Sequence, residues 1–411
     1  MITIDFNKIP ASLCVSCKGT KLLCGKSSCP ILAKFYSSSK LNLDVDHIEG
    51  SSPPSVFIGS YGYPKVRIGP SLPPISGDTE IYERPDLWVP MSIDSIAGMR
   101  LSMYRGYKLL SINEASSPGN YLSEIHDLIL SSRPVDAEII YAQAEKRIDF
   151  SPESQPFGPG GYLKKFDHGG SSSDSTLERF YYDGDISANE AVLNLYNNTS
   201  LYSIEKMLSA GMLGKQKGRR IVPTRWSITA VDKIISDSFI KEIRYFPYLD
   251  KIEYFHFSNI GNDYYIAIIP GPYSFEMMEN WNNGSIWTGN RGNIIESDYE
   301  DFKRRELNPS IGGSFFAAKL PILDYMKKRN IQGQIIVSRF IGNDYTMPLG
   351  VWQVRENVRA AMNKAEEIEN IDQYFSIITL RKGIDMRPFS KTYQILKNQK
   401  RLTDYGVLNG T

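Results

Sequence analysis

Apolar residues at positions 354, 358, 361, 362, 365 and 368 recur at helical spacing, so Val354 to Ile368 predicts an amphipathic helix. Elsewhere the period drops to two. Polar and apolar residues alternate in Lys65-Val66-Arg67-Ile68, which predicts a half-exposed strand. It follows Val56-Phe57-Ile58 and a tight turn marked by Gly59, Gly62 and Gly69 in GSYGYPKVRIGP. Ile252 to Phe257 and Tyr264 to Ile269 flank Gly261-Asn262-Asp263 and predict a hairpin. Gln334 to Phe340 reads as a further strand, and Ser187 to Met212 as two helices joined near Asn197-Asn198. Arg100 to Asp149 mixes helical periods with short strands, Tyr121 to Leu130 among them. Residues 151–175 (SPESQPFGPGGYLKKFDHGGSSSDS) are rich in Gly, Pro and Ser and show no period, as a linker or a long ordered functional loop would. There is no internal repeat. The mixture predicts an α/β or α+β body.

Composition narrows the class without naming it. A chain of 411 residues with 41% hydrophobic and 23% charged residues is ordinary for a soluble protein of two or three domains. No apolar run approaches the ~20 residues of a membrane span, and MITIDFNKIP lacks the pattern of a signal peptide. A formal net charge of +1 excludes a protein that coats nucleic acid by bulk charge, but leaves room for a local basic groove. The 25 tyrosines are read first as half-buried sheet residues.

The cysteines change the picture. All four lie near the start, as Cys14-Val-Ser-Cys17, Cys24 and Cys29. A CxxC pair followed closely by two more thiols is the spacing of a tetrahedral four-cysteine zinc site. A pair of disulfides fits poorly, because a chain this long builds a core without staples. A closed all-thiolate site leaves no open coordination position, so the zinc is expected to be structural. After Cys29, PILAKFYSSSK looks like a short helix leaving the site. Residues 1–45 are therefore read as a zinc module. The mixed body spans 46–390, with an internal boundary or long loop at 151–175, and a flexible tail occupies 391–411. Reduced thiols and the missing targeting segment point to the cytoplasm.

The densest polar segment runs from Gly211 through Gly214, Lys215, Lys217, Gly218, Arg219 and Arg220 to Thr224, Arg225, Trp226, Ser227 and Thr229. Arginine forks and glycine-freed backbone amides suit phosphate, and Trp226 offers a face for a base. It is not a Walker A loop, since no Ser or Thr follows the Gly-Lys pair. The bland alternative is a solvated basic turn before a buried tryptophan. His47, His126, His168 and His256 stand far apart and are read as ordinary surface or core histidines. Asp183-Gly184-Asp185 and ESDYEDFKRRE from Glu296 to Glu306 gather carboxylates, but such runs are more often solvated helix faces. No catalytic constellation is visible.

Gln399, Leu402 and Tyr405 fit the Q-x-x-aliphatic-x-x-aromatic pattern of a peptide that docks on the sliding clamp, PCNA. The aliphatic and aromatic side chains share one short helical turn and enter an apolar pocket, with the glutamine bonding at its rim. Gly406 stands where a second aromatic is usual.

Together these segments resemble the Nre family of archaeal DNA repair proteins. The resemblance rests on the cysteine cluster, SVFIGSYGYPKVRIGP, RRIVPTRWSITAVD, PLGVWQVRENVRAAM and the tail, and runs from end to end. It implies a role in repairing damaged DNA, recruitment by the clamp, and zinc on Cys14, Cys17, Cys24 and Cys29; it implies no established reaction. Two functions follow. One is a repair factor, non-enzymatic or weakly so, that grips DNA and docks on the clamp. The other is an enzyme acting on a nucleotide or damaged DNA end, with Lys215 to Thr229 as its phosphate site. Carboxylates with perturbed environments converging beside that segment would favour the second.

Overall fold

The computed structural model describes residues 10–17, 23–25, 29, 46–145 and 156–398. Within them, two mixed sheets share a helical layer. Sheet A has seven strands: β1 (His47–Ser52), β2 (Phe57–Ile58), β3 (Lys65–Gly69), β4 (Ser71–Leu72), β5 (Tyr104–Ser111), β6 (Val135–Glu145) and β7 (Gly160–His168). Their order is β1-β6-β7-β5-β3-β2, with β4 on β5, and only the β5–β7 pair is parallel. Sheet B has six: β8 (Ile252–Asn259), β9 (Asn262–Pro270), β10 (Ser274–Trp281), β11 (Ile294–Asp301), β12 (Gly333–Ile341) and β13 (Glu366–Ile368). They run β11-β10-β12-β9-β8-β13, with β10 and β12 parallel.

The helices are α1 (Ala11–Cys17), α2 (Ile93–Leu101), α3 (Asn120–Leu130), α4 (Ser175–Tyr182), α5 (Ala188–Tyr196), α6 (Leu201–Ser209), α7 (Thr224–Ile243), α8 (Gly313–Arg329), α9 (Trp352–Ala361), α10 (Ile371–Lys382) and α11 (Lys391–Asn398). One continuous apolar core joins sheet A, helices α3 to α9 and one face of sheet B. The strand period sorts sheet B: Phe255, Tyr264, Ile266 and Ile268 face that core, while Tyr254, Tyr265, Ala267 and Ile269 face α10. With both faces covered, truncating Ile266 to alanine is expected to cost about 2 to 5 kcal/mol.

Several expectations hold and several shift. The Lys65–Ile68 strand alternates as read, with Val66 and Ile68 buried and Lys65 exposed. Helices α5 and α6 meet near Asn197-Asn198, each started by a serine whose side chain accepts a backbone N–H. The β8–β9 turn sits one residue early, at Ile260-Gly261, both with positive φ, so Asn262 and Asp263 already belong to β9. The helix read from Val354 to Ile368 stops at Ala361, and Glu366–Ile368 becomes β13. Val354 and Val358 bury in the main core, whereas Ile368 buries against α10; residues facing different cores cannot share one helix stripe.

The middle of the stretch 151–175 is neither linker nor loop. Residues 160–168 form β7, inside sheet A. Its glycines hid the period because neighbours crowd them: a Cβ at Gly161 would lie 2.5 Å from Gln143 O. The tail also begins later than 391, because residues 391–398 form α11. Buried Glu276 accepts Ser390 Oγ (2.7 Å) and the N–H groups of Lys391 and Thr392, fixing the start of that helix. The helix expected after Cys29 lies outside the described residues.

Candidate nucleic-acid interface

Three of the segments that carry the resemblance meet on α7. Its first residue, Thr224, accepts the N–H of Ile58 on its hydroxyl (2.9 Å), tying the helix start to β2. Two residues on, Trp226 packs against Tyr63 from the β2–β3 turn, with ring centres 5.1 Å apart. Further along, buried Asp232 pairs with Arg355 of α9 (2.8 Å). SVFIGSYGYPKVRIGP, RRIVPTRWSITAVD and PLGVWQVRENVRAAM, far apart in sequence, thus share one helix.

The basic turn sits beside this junction. Ile112 donates its N–H to Pro64 O (3.1 Å) and accepts from Ile221 N–H (2.9 Å), so the aromatic turn and the end of the basic turn lie along one strand of chain. Lys215, Lys217 and Arg220 are exposed, as is Trp226 (41%), and Arg225 is half-buried with its guanidinium 5.9 Å from the Trp226 ring. Among the described residues, none of these cations forms an ion pair.

Three expected contributors do other work. Arg219 is buried, its guanidinium donating to the carbonyls of Gly214, Tyr181 and Asp183. Those bonds hold the loop and remove this arginine from any phosphate face. Ser227 is fully buried and donates to Glu205 O (2.6 Å), and the Thr224 hydroxyl is engaged by Ile58. Nor do Gly211 and Gly214 open the backbone to a ligand. Both are buried at positive φ, and a Cβ on Gly211 would lie 2.4 Å from Ala115 Cβ. Gly218 alone of the three glycines faces open space.

Carboxylates do converge beneath the segment. Arg355 bridges Glu205 (2.7 Å) and Asp232 (2.8 Å), all three buried. Burial above all, with Asp232 beside it, pushes the Glu205 carboxyl up to about 7 against the pull of Arg355. Asp232 is raised for the same first reason. The cavity touching Glu205, Lys206 and Thr224 has about 20 Å³, room for a water and not for a nucleotide. A larger cleft of about 580 Å³ opens between Arg84, Tyr196, Tyr202, Glu356 and Arg359. Its cations are taken: Arg84 pairs with Asp86 (2.8 Å), Lys328 with Asp324 (2.6 Å) and Arg359 with Glu356 (3.5 Å).

The other polar clusters are structural. Asp183 accepts the N–H groups of Asp185 and Ile186. The Glu296–Glu306 run lies along β11 and the turn after it, not on a helix face; Glu300 is buried against Lys319 (2.9 Å) and Tyr273 (2.6 Å). His126 is a core histidine between Ala210 O (3.0 Å) and the Tyr181 hydroxyl (3.2 Å), and burial lowers it to about 4. His47, Glu49 and Glu138 bring three ligand atoms within 4.8 Å of one another, at an open edge where Lys165 also pairs with Glu138.

Cys14, Cys17, Cys24 and Cys29 form no disulfide. Cys14 and Cys29 pack on a cluster containing Trp88, Trp287 and Trp352, and Arg291 Nη1 lies 3.7 Å from Cys14 Sγ. Four thiols are the donor set of a closed zinc site, although among the described residues only His47, Glu49 and Glu138 bring three ligand atoms within 4.8 Å of one another. Gln399, Leu402 and Tyr405 lie outside the described residues. No helix among the described residues is long and apolar enough to cross a membrane.

Reading by spacing missed Tyr61, Tyr63 and Lys65, all exposed at the turn that meets Trp226. Two aromatics bracketing Gly62 were the available signal, but only the fold brings them to the basic segment.

A family model described as archaeal Nre, N-terminal, matches residues 23–288, and one described as archaeal Nre, C-terminal, matches residues 300–405. DNA repair protein NreA of Archaeoglobus fulgidus is 34% identical over 90% of this chain and 93% of its own length. NreB of the same organism is 31% identical over 95% and 98%, and NreA of Haloferax volcanii 31% over 80% and 81%. No solved structure gives a significant match. With both halves matched and relatives aligned along nearly its whole length, the chain belongs to the archaeal Nre family.

Proposed function

We propose that this chain is a DNA repair factor that grips nucleic acid on the surface where the basic turn meets the start of α7. The relatives named DNA repair proteins support the first part. The second rests on one observation: Lys217, Arg220 and Arg225, which form no ion pair, lie with Lys215 along the same stretch of chain as exposed Trp226. Cations without carboxylate partners are available to phosphate, and each contact displaces counterions. The test is DNA binding by the whole chain across a range of salt. Replacing Lys215, Lys217 and Arg220 by alanine should weaken binding and flatten the salt slope by roughly 0.7 to 0.9 per lost phosphate contact. Unchanged affinity and slope would make the segment structural.

The enzyme reading draws on the raised Glu205 and Asp232, yet both are sealed with Arg355 beside a cavity of about 20 Å³, which supports grip over catalysis. Recruitment would come from Gln399, Leu402 and Tyr405, reached through the anchored α11. A short peptide of this kind is expected to hold the clamp at roughly micromolar strength, less with Gly406 in place of an aromatic. Calorimetry against the organism's own clamp should show heat that vanishes in Leu402→Ala with Tyr405→Ala. Cys14, Cys17, Cys24 and Cys29 would hold one structural zinc, which would cross-link the N-terminal segment. Elemental analysis should find one zinc per chain, and less in Cys17→Ser.

A further inference from the structure

We infer that Tyr61, Tyr63 and Trp226 form a stacking platform for unpaired nucleobases, so that this surface selects single-stranded or locally unpaired DNA over intact duplex. The inference rests on the nucleic-acid reading above and names its substrate class. Single exposed aromatics are common on proteins, and no one of these rings would carry the argument. Here Tyr61 is 85% exposed, Tyr63 49% and Trp226 41%, and the last two touch. Their planes are tilted by 58°, an arrangement that leaves a ring face open instead of closing one on the other. Arg225 lies beside Trp226, and Lys65 leaves the same turn into solvent. A fourth exposed ring, Tyr182 at 73%, is tied to the basic turn because Arg219 donates to Tyr181 O (2.8 Å).

The platform is braced from both sides. Gly59 donates to Arg67 O (3.0 Å), Lys65 to Gly62 O (3.0 Å), Ile112 to Pro64 O (3.1 Å), and Ile58 to the Thr224 hydroxyl (2.9 Å). A turn whose backbone is held before the ligand arrives loses little freedom on binding. A base in a duplex has both faces covered by its neighbours. An aromatic side chain can meet only a base that is already unstacked, and every base then offers a similar π-face. Cations for the backbone beside rings for the bases is the pairing that single strands require. Duplex could use only the cations.

The whole chain is titrated with a labelled oligothymidylate and with a duplex of equal length, at several salt concentrations. The single strand should bind more tightly. Tyr63→Ala with Trp226→Ala should lose roughly 5- to 150-fold in single-strand affinity, with the salt slope and the duplex affinity unchanged. Tyr63→Phe should retain it. Should the double variant fold poorly, Tyr61→Ala removes a ring with almost no packing and should still show a loss confined to the single strand. Equal losses on both DNA forms, or none on either, would overturn the stacking platform while leaving nucleic-acid binding in place. If the unaltered protein binds neither form, the broader reading fails and this one with it.

Discussion

The two ends of the RRIVPTRWSITAVD segment lie on one helix and live in opposite environments. At the start of α7, half-buried Arg225 and exposed Trp226 lie beside Tyr63, with no carboxylate paired to the arginine. Two turns later Asp232 is fully buried, bonded to Arg355, which also holds Glu205. The inner end joins the chain's two family-matched regions, since Glu205 and Asp232 lie in the first and Arg355 in the second. A charge that is sealed and paired serves the fold. A charge that is exposed and unpaired is available to a ligand. One motif therefore carries two roles, and substitutions should separate them.

The largest effect should come from the inner end. Arg355→Met leaves two buried carboxylates without their cation, at a cost of about 3 to 5 kcal/mol in denaturant unfolding. A loss under 1 kcal/mol would mean that the network is solvated and the contrast false.

Acid gives the next. His126 is held neutral by burial, its folded pKa of about 4 lying below the ordinary 6.5. The unfolded chain therefore takes up the proton first. This stability is present above pH 6.5 and drains as pH falls through about 4, by roughly 3 kcal/mol. Raised Glu205 acts in the opposite sense, losing its contribution as pH rises through about 7. The stability difference between the protein and its His126→Gln variant cancels that second effect. That difference should fall between pH 7 and pH 4, and a flat difference would show that His126 is reached by water.

A smaller effect belongs to the tie between the start of α7 and β2. Thr224→Val strands the Ile58 N–H, at about 1 to 3 kcal/mol, and should loosen the aromatic turn. The smallest belongs to the outer end. Alanine at Lys215, Lys217 and Arg220 should move stability by no more than about 0.5 kcal/mol each, because exposed unpaired charges support little. A large loss there would erase the distinction that the helix draws.

Much of sheet B was legible, because short runs of aromatic and β-branched residues in β8, β9 and β12 are a local property and a glycine turn marks the hairpin. Strand β7 was not, since close backbone approach demands glycines that look like a linker. The length of α9 was misjudged because apolar residues bound for two different cores fell by coincidence into one helical period. At the candidate interface the basic segment and Trp226 were visible as composition. Their partner Tyr63 was not, because a contact between a turn and a distant helix leaves no spacing in the chain.

The sequence by itself determined many of the element types, the thiol quartet and the concentration of cations from Lys215 to Arg225, all of which are local. Which cations are free was decided only in three dimensions. Arg219 and Arg220 are adjacent and chemically identical, yet one is buried on three carbonyls and the other is exposed. An extended backbone turns successive side chains to opposite sides, and the carbonyls that capture Arg219 come from segments as distant as Tyr181. Neighbours in sequence fixed the charge; neighbours in space fixed its use.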